Sequence, residues 1–182
     1  MKKHISLLLP AAISLMLVAS CGQKGNNQKN ILTPTEEAAD MIHSLPDYNY
    51  TDSLMQGSHK VVYAITSHPD DSLSVIIDED GVKYKDNRFW LTITKDGNTL
   101  FSHTFTKADF RSLLPAEFRK YGLMDGMRFN RAEEGKLYFN TCVSYPDSDM
   151  SCPFILTIGP DGSYTIEPDT SSDEEDTEFP SI

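Results

Sequence analysis

The chain has 182 residues, of which 16 are Lys or Arg and 27 are Asp or Glu, so its formal net charge is −11. This acidic balance argues against nucleic-acid binding, because phosphate contacts need clustered cations. It also disfavours peripheral docking on anionic lipid. The length allows one ordinary domain with short extensions, and 39% hydrophobic residues suffice for a packed core.

The N-terminus has the pattern of an export signal over residues 1–20. Residues 2–3 are lysines, and the apolar stretch 5–17 is too short to cross a membrane as a helix. Ala19 and Ser20 then precede Cys21, an order that resembles the lipobox of bacterial lipoproteins. The resemblance implies cleavage before Cys21, acylation of this residue, and anchoring in a lipid membrane through two or three acyl chains.

The residues after the cysteine bear on location. Gly22 stands where an Asp would retain an enteric-type lipoprotein in the inner membrane, which favours the outer membrane. Residues 22–27 lack the acidic cluster of some surface-exposed lipoproteins, which favours the periplasmic leaflet. Residues 21–32 therefore comprise the lipidated Cys21 and a flexible polar tether in the cell envelope.

A single β-rich domain is predicted over residues 33–168, beginning with a short helix. Thr33 and Glu36 can form a capping box around Pro34 at the first helical position, and Pro46 ends the segment. The helix would present an apolar face made of Ala38, Met41, Ile42 and Leu45.

From residue 59 the pattern becomes mainly β, with seven or eight strands in about 110 residues. The strands are punctuated by four Asp-Gly pairs: Asp80-Gly81, Asp96-Gly97, Asp125-Gly126 and Asp161-Gly162. This pattern predicts an antiparallel meander that either closes into a small barrel or folds as a sandwich.

Two hairpins allow the strand register to be predicted. A three-residue loop at 160–162 sets Ile158 opposite Tyr164 and, further along, Leu156 opposite Ile166. The same loop type at 95–97 would set Leu91 opposite Phe101 and Phe89 opposite His103. The inner face would then hold Phe89, Leu91, Ile93, Phe101 and Phe105, while Trp90, Thr92 and Thr94 point the other way.

A helical insertion is predicted near residues 106–121. Thr106 and Asp109 resemble a capping box, and the apolar residues from Phe110 onward keep a helical period. Pro115 breaks or kinks this helix, and Gly122 ends it.

Cys142 and Cys152 flank a hairpin loop in a chain that is expected to be exported, so a disulfide between them is one prediction. Strand parity conflicts with this pairing, since Cys152 alternates with inward residues and Cys142 with outward ones. A bulge beside Pro153 would reconcile the two. The alternative is two free thiols.

The candidate ligand-binding residues are Trp90, Phe101 and His103. His103 alternates with Phe101 and Phe105, so it is either an interior histidine or part of a barrel lumen. Trp90 is either a second-layer core residue or an exposed binding aromatic. The sequence contains no catalytic motif, no metal-ligand spacing and no cofactor motif, so no catalytic residue, metal or cofactor is predicted.

The C-terminal residues 169–182 are predicted to be a disordered acidic tail, because the run 169–178 holds six acids and no apolar residue. As a whole, the chain resembles the small lipoproteins of Bacteroidetes-type Gram-negative bacteria that form a domain-of-unknown-function family. That resemblance implies a lipocalin-like or related small β-barrel domain and transfers no catalytic residue.

Three functions are compatible with these features. The first is a non-enzymatic, membrane-anchored module that binds a small molecule or an envelope protein. The second is an envelope hydrolase whose site assembles only in space, and the third is a purely structural envelope protein. A cavity lined by His103 and Phe side chains would favour the first, and a shifted carboxylate or a His beside a Ser or Cys the second.

We expect Cys21→Ala to abolish lipidation, because the thiol that carries the diacylglycerol is lost. The variant should stay largely unprocessed, or soluble in the envelope, and should leave the detergent phase in a partitioning assay. Processing of the wild type should be blocked by globomycin. Unchanged partitioning of the variant would contradict the lipobox assignment.

Overall fold

The fold is given by a computed structural model that describes residues 41–171. This part contains one α-helix, α1 (Ala116–Tyr121), and a 3-10 helix at Lys107–Phe110. Its strands are β1 (Ile42–His43), β2 (Tyr48–Gln56), β3 (His59–Pro69), β4 (Ile76–Ile77), β5 (Lys83–Tyr84), β6 (Asn87–Lys95), β7 (Asn98–Phe105), β8 (Leu123–Glu133), β9 (Lys136–Ser144), β10 (Ser151–Ile158) and β11 (Tyr164–Pro168).

The eight longer strands form two four-stranded antiparallel sheets. The first has the order β2-β3-β6-β7, and the second has the order β11-β10-β9-β8. These sheets do not close into a barrel, so the sandwich-like alternative fits and the lipocalin-like barrel does not. The physical reason is the helical insertion after β7, which ends the first meander and lets the chain start a second one.

One hydrophobic core lies between the two sheets. Alternate residues of β3, β6, β9 and β10 are buried, as in half-buried antiparallel sheets. Tyr63 of the first sheet stacks on Phe129 of the second, with ring centroids 4.8 Å apart. The predicted inner face of β6 and β7 is confirmed, since all five of its members are buried: Phe89, Leu91, Ile93, Phe101 and Phe105.

The register predicted for the last hairpin is confirmed. Ile158 lies opposite Tyr164 and Leu156 opposite Ile166. The Gly159 N–H donates to the Ser163 carbonyl at 2.8 Å, and Gly162 has a φ of 80°. A three-residue loop that ends in a left-handed glycine therefore closes this hairpin.

The register predicted for β6 and β7 is wrong by two residues. Asp96 and Gly97 both have positive φ angles, 51° and 82°, which is typical of a two-residue turn. Leu100 is then left over as a bulge, and Leu91 faces His103 instead of Phe101. Because the error is two residues and side chains alternate, the inner face is unchanged.

The predicted N-terminal helix is not found where the structure describes the chain. Its first part, residues 33–40, lies outside the described residues. Its second part contains β1, which pairs in parallel with β5 through Ile42–Lys83 and His43–Tyr84. The chain at β5 offers backbone hydrogen bonds, such as that from the Lys85 N–H to the His43 carbonyl at 2.8 Å, and a helix this short has little stability of its own.

The helical insertion is confirmed as two short helices, at Lys107–Phe110 and Ala116–Tyr121, with a break that includes Pro115 between them. The Thr106 N–H donates to the Asp109 carboxylate at 2.8 Å, as a capping box requires. α1 ends at Gly122, where a Cβ atom would lie 2.7 Å from the Phe118 carbonyl oxygen and 2.8 Å from Val143 Cγ1. Only glycine therefore fits at the junction between α1 and β8 without a shift of the backbone.

A buried polar cluster, which we call the Asp86 clamp, joins the two sheets at this end. Asp86 Oδ1 accepts hydrogen bonds from the backbone N–H groups of Asn87 and Met124, both at 2.9 Å. Asn87 Nδ2 donates to the Met124 carbonyl at 2.7 Å. Lys107 Nζ donates to the Gly122 carbonyl at 2.5 Å and lies 3.6 Å from Asp86 Oδ2.

Burial dominates the electrostatics of the clamp. It raises the pKa of Asp86 and lowers the pKa of Lys107. The backbone hydrogen bonds from Met124 and Asn87 and the charge of Lys107 partly offset the rise in the pKa of Asp86. The charge of Asp86 partly offsets the fall in the pKa of Lys107. Because the carboxylate satisfies two backbone donors, its removal leaves them without a partner in a buried place.

We therefore expect Asp86→Ala to lower the free energy of unfolding by about 2–4 kcal/mol. Two buried backbone N–H groups lose their acceptor, and the Lys107 ammonium loses its ion-pair partner. Urea denaturation measures this value. The matched control is Asp71→Ala, which removes an acid that pairs with Lys85 at 2.6 Å but is 82% exposed. The control should cost less than about 1 kcal/mol. Equal losses in both variants would contradict the role given to Asp86.

Candidate functional site

One cavity, which we call the inter-sheet cleft, has a volume of about 560 Å³. Its lining comes from β2, β3 and β6 of the first sheet, from β8, β9 and β10 of the second, and from residues beside these strands. Its apolar lining comprises Leu45, Pro46, Tyr48, Phe89, Met127 and Pro153. Its polar lining includes Ser67, Asp125, Arg128, Asn140, Thr141 and Asp169, and Cys142 and Gly126 complete the wall.

A bulge in β8 shapes one wall of the cleft. Met124 faces Val143 and Gly126 faces Cys142, so Asp125 is an extra residue without a partner on β9. Such a bulge bends the strand and increases its twist. The Gly126 carbonyl accepts a hydrogen bond from Thr141 Oγ1 at 2.7 Å, which fixes the bulge to the neighbouring strand.

This bulge differs from the structure that the sequence predicts. The Asp125-Gly126 pair was expected to mark a turn like the other three Asp-Gly pairs. In the structure it lies inside a strand of eleven residues. The local sequence does not separate this pair from the others, because partly buried strands also precede the turns at Asp96-Gly97 and Asp161-Gly162.

The cleft combines apolar walls with charges of both signs. Asp125 and Arg128 are exposed, and neither forms an ion pair with another residue in the described part of the chain. Ser67 and Thr141 are buried polar residues in the wall. Concave, mostly apolar sites with a few placed polar groups are the usual form of small-molecule sites.

Two of the three predicted ligand-binding residues come together, but outside the cleft. The rings of Phe101 and His103 have centroids 6.2 Å apart, and Tyr164 packs on His103 at 5.2 Å. His103 Nε2 lies 3.5 Å from Asp109 Oδ1. Phe101 is only 7% exposed, so it belongs to the core.

Trp90 lies on the opposite face of β6 and is half-buried. Its ring packs against His68, with centroids 4.4 Å apart, and the Arg88 guanidinium lies 5.9 Å from its centroid. Arg88 Nε is in turn 2.5 Å from Asp70 Oδ2. The structure therefore separates Trp90 from Phe101 and His103, and the three residues do not form one site.

Cys142 and Cys152 are both free thiols in the structure, so the predicted disulfide between them is not formed. Cys152 lies opposite Val143, and Cys142 lies opposite Pro153, with no bulge in the pairing of β9 and β10. The two side chains therefore point to opposite faces of the sheet. Cys152 packs against the core, and Cys142 lines the cleft. Burial raises the pKa of both thiols.

Most of the features predicted for the two ends of the chain lie outside residues 41–171. Cys21, the signal and the tether lie outside the described residues, as does the tail from residue 172. The start of the predicted tail is held in place, since the Asp169 N–H donates to the Pro153 carbonyl at 3.0 Å. Between residues 41 and 171 there is no helix long and apolar enough to cross a membrane. The same residues contain no cluster of three His, Cys, Asp or Glu side chains that could hold a metal.

Comparison with known proteins identifies the family of the chain. A family model described as a domain of unknown function, DUF4738, matches residues 27–166. This range includes all of β1 to β10 and most of the cleft lining. No curated protein matches the chain.

The free thiols lead to a prediction about redox state. In a Cys21→Ala variant, which keeps only Cys142 and Cys152, denaturation under oxidising conditions should expose two thiols to alkylation. A reductant should change the free energy of unfolding by less than about 0.5 kcal/mol. Mass spectrometry of the alkylated chain and urea denaturation measure these values. A bridge would instead block both thiols and contribute roughly 2–3 kcal/mol.

Proposed function

The chain belongs to the DUF4738 family, and from this premise we propose that it is a membrane-anchored binding module of the cell envelope. Its acylated Cys21 would hold it in the lipid membrane, on the periplasmic face of the outer membrane. The domain would bind a small molecule without transforming it. The inter-sheet cleft is the place where this molecule would bind.

The observation that carries this proposal is the composition of the cleft. Six of its fourteen lining residues are apolar, and Asp125 and Arg128 stand beside them without an ion-pair partner in the described part of the chain. A molecule with an apolar body and one or two polar groups would cover the walls and satisfy the charges. The volume of about 560 Å³ suits a ligand of this kind.

The contacts of the histidines support binding over hydrolysis. A hydrolase of the kind considered above needs a His within hydrogen-bond reach of a Ser or Cys. Among residues 41–171, His59 instead contacts Asp96, His103 contacts Asp109, and His43 and His68 pack on aromatic rings. The Cys142 thiol in the cleft is contacted by the Ser144 hydroxyl at 3.7 Å.

The proposal is tested by the small molecules that purify with the protein. The lipoprotein is extracted from membranes in mild detergent, and bound small molecules are identified and quantified by mass spectrometry. We expect one class of amphipathic molecule at a fixed molar ratio. Tyr48→Ala should lower this ratio about tenfold, because the ring forms part of the apolar wall.

Tyr50→Ala is the matched control for this experiment. Tyr50 lies on the same strand, and its 42% exposure resembles the 39% of Tyr48, but it does not line the cleft. The control should keep the wild-type ratio. Equal loss in both variants, or no molecule enriched above a detergent blank, would count against a ligand in the cleft.

A further inference from the structure

A second and smaller cavity, which we call the basic pocket, lies between the segment 73–76 and the helical insertion. Its volume is about 290 Å³, which is room for about ten water volumes. One wall is apolar and includes Leu73, Val75, Ile76 and Leu114. The other wall carries most of the charge of the pocket.

Four cations line this pocket in a chain whose net charge is −11: Lys107, Arg111, Arg119 and Lys120. Asp86 is the acid in the lining, and it belongs to the Asp86 clamp described above. The pocket wall therefore has a local charge opposite to that of the whole protein. Clefts lined by one sign of charge concentrate ligands of the other sign.

The four cationic side chains differ in their contacts with other protein groups. Lys107 donates to the Gly122 carbonyl, and Lys120 donates to the Tyr121 hydroxyl at 2.5 Å. Arg111 and Arg119 are exposed and make no ion pair with any residue of the described part. Within residues 41–171 no acid occupies their guanidinium groups, whose planar fork of donors is suited to an oxyanion.

We propose that the basic pocket binds a small organic oxyanion, with its carboxylate or phosphate head at Arg111 and Arg119 and its short apolar part against Leu73 and Val75. Lys107 also lines the pocket, and its charge is partly compensated there by the ion pair with Asp86. This site is separate from the inter-sheet cleft, and it does not depend on the function proposed for the cleft.

Calorimetry with two probes tests the site and distinguishes the two kinds of head. Hexanoate and butyl phosphate are titrated separately into the detergent-solubilised lipoprotein, with a detergent-only titration subtracted. The uncharged control is 1-hexanol. We expect at least one oxyanion to bind and 1-hexanol not to bind, and we expect the affinity to fall as NaCl is added.

The variant Arg111→Ala/Arg119→Ala should weaken the binding of the preferred probe by about tenfold or more. Its conservative counterpart, Arg111→Lys/Arg119→Lys, should keep part of the affinity. Arg131→Ala is the matched control, because Arg131 lies over the Tyr138 ring at 4.1 Å and lines neither cavity. Tyr48→Ala should also leave this binding unchanged.

The site would be disproved by several results. The wild type could bind neither probe, or it could bind 1-hexanol as tightly as the oxyanions. The Arg131 control could lose as much affinity as the double variant. Thermal unfolding of each variant shows that the fold is retained, which is expected because Arg111 and Arg119 are exposed.

Discussion

The arrangement of the two sheets depends on the hydrogen bonds that the Asp86 carboxylate accepts. The sheets are separate meanders, and between β7 and β8 the chain connects them only through the helical insertion. Asp86 precedes β6 in the first sheet, and it binds the backbone of Met124 at the start of β8 in the second. Lys107, at the start of the helical insertion, joins the same cluster because it pairs with Asp86 and donates to the Gly122 carbonyl.

This arrangement also explains where the cavities lie. Asp86 and Lys107 line the basic pocket, so the groups that hold the sheets together also form part of a ligand wall. Met124 is directly followed by the Asp125 bulge, which shapes the inter-sheet cleft. A bound molecule in either cavity would therefore contact residues next to the clamp. Binding that favours the folded state would stabilise the sandwich by mass action.

The sequence predicted the features that depend on alternation and turn chemistry. The inner face of β6 and β7 and the register after Pro160 follow from local patterns, and both are confirmed. The two-residue turn at Asp96-Gly97 was missed, because an Asp-Gly pair fits both turn types and only the bulge at Leu100 separates them.

Long-range features could not be predicted in this way. The pairing of β1 with β5 requires a partner 41 residues away, as in Ile42–Lys83, and the sequence around Ile42 shows only the apolar spacing of a helix. The cleft and the basic pocket assemble from segments that are distant along the chain. Strand parity did indicate that Cys142 and Cys152 point to opposite faces of the sheet. The bulge that would have allowed a bridge between them is absent from the pairing of β9 and β10.

Gly122 has a consequence for the divergence of this family. The absence of a side chain at this position lets α1 stop directly against Val143, and it leaves the carbonyl of the residue accessible to Lys107. Surface loops and ligand walls can accumulate substitutions over evolutionary time, but this junction tolerates a single residue type unless the backbone moves. A glycine shortly before the second meander should therefore mark the corresponding point when distant members of the family are aligned.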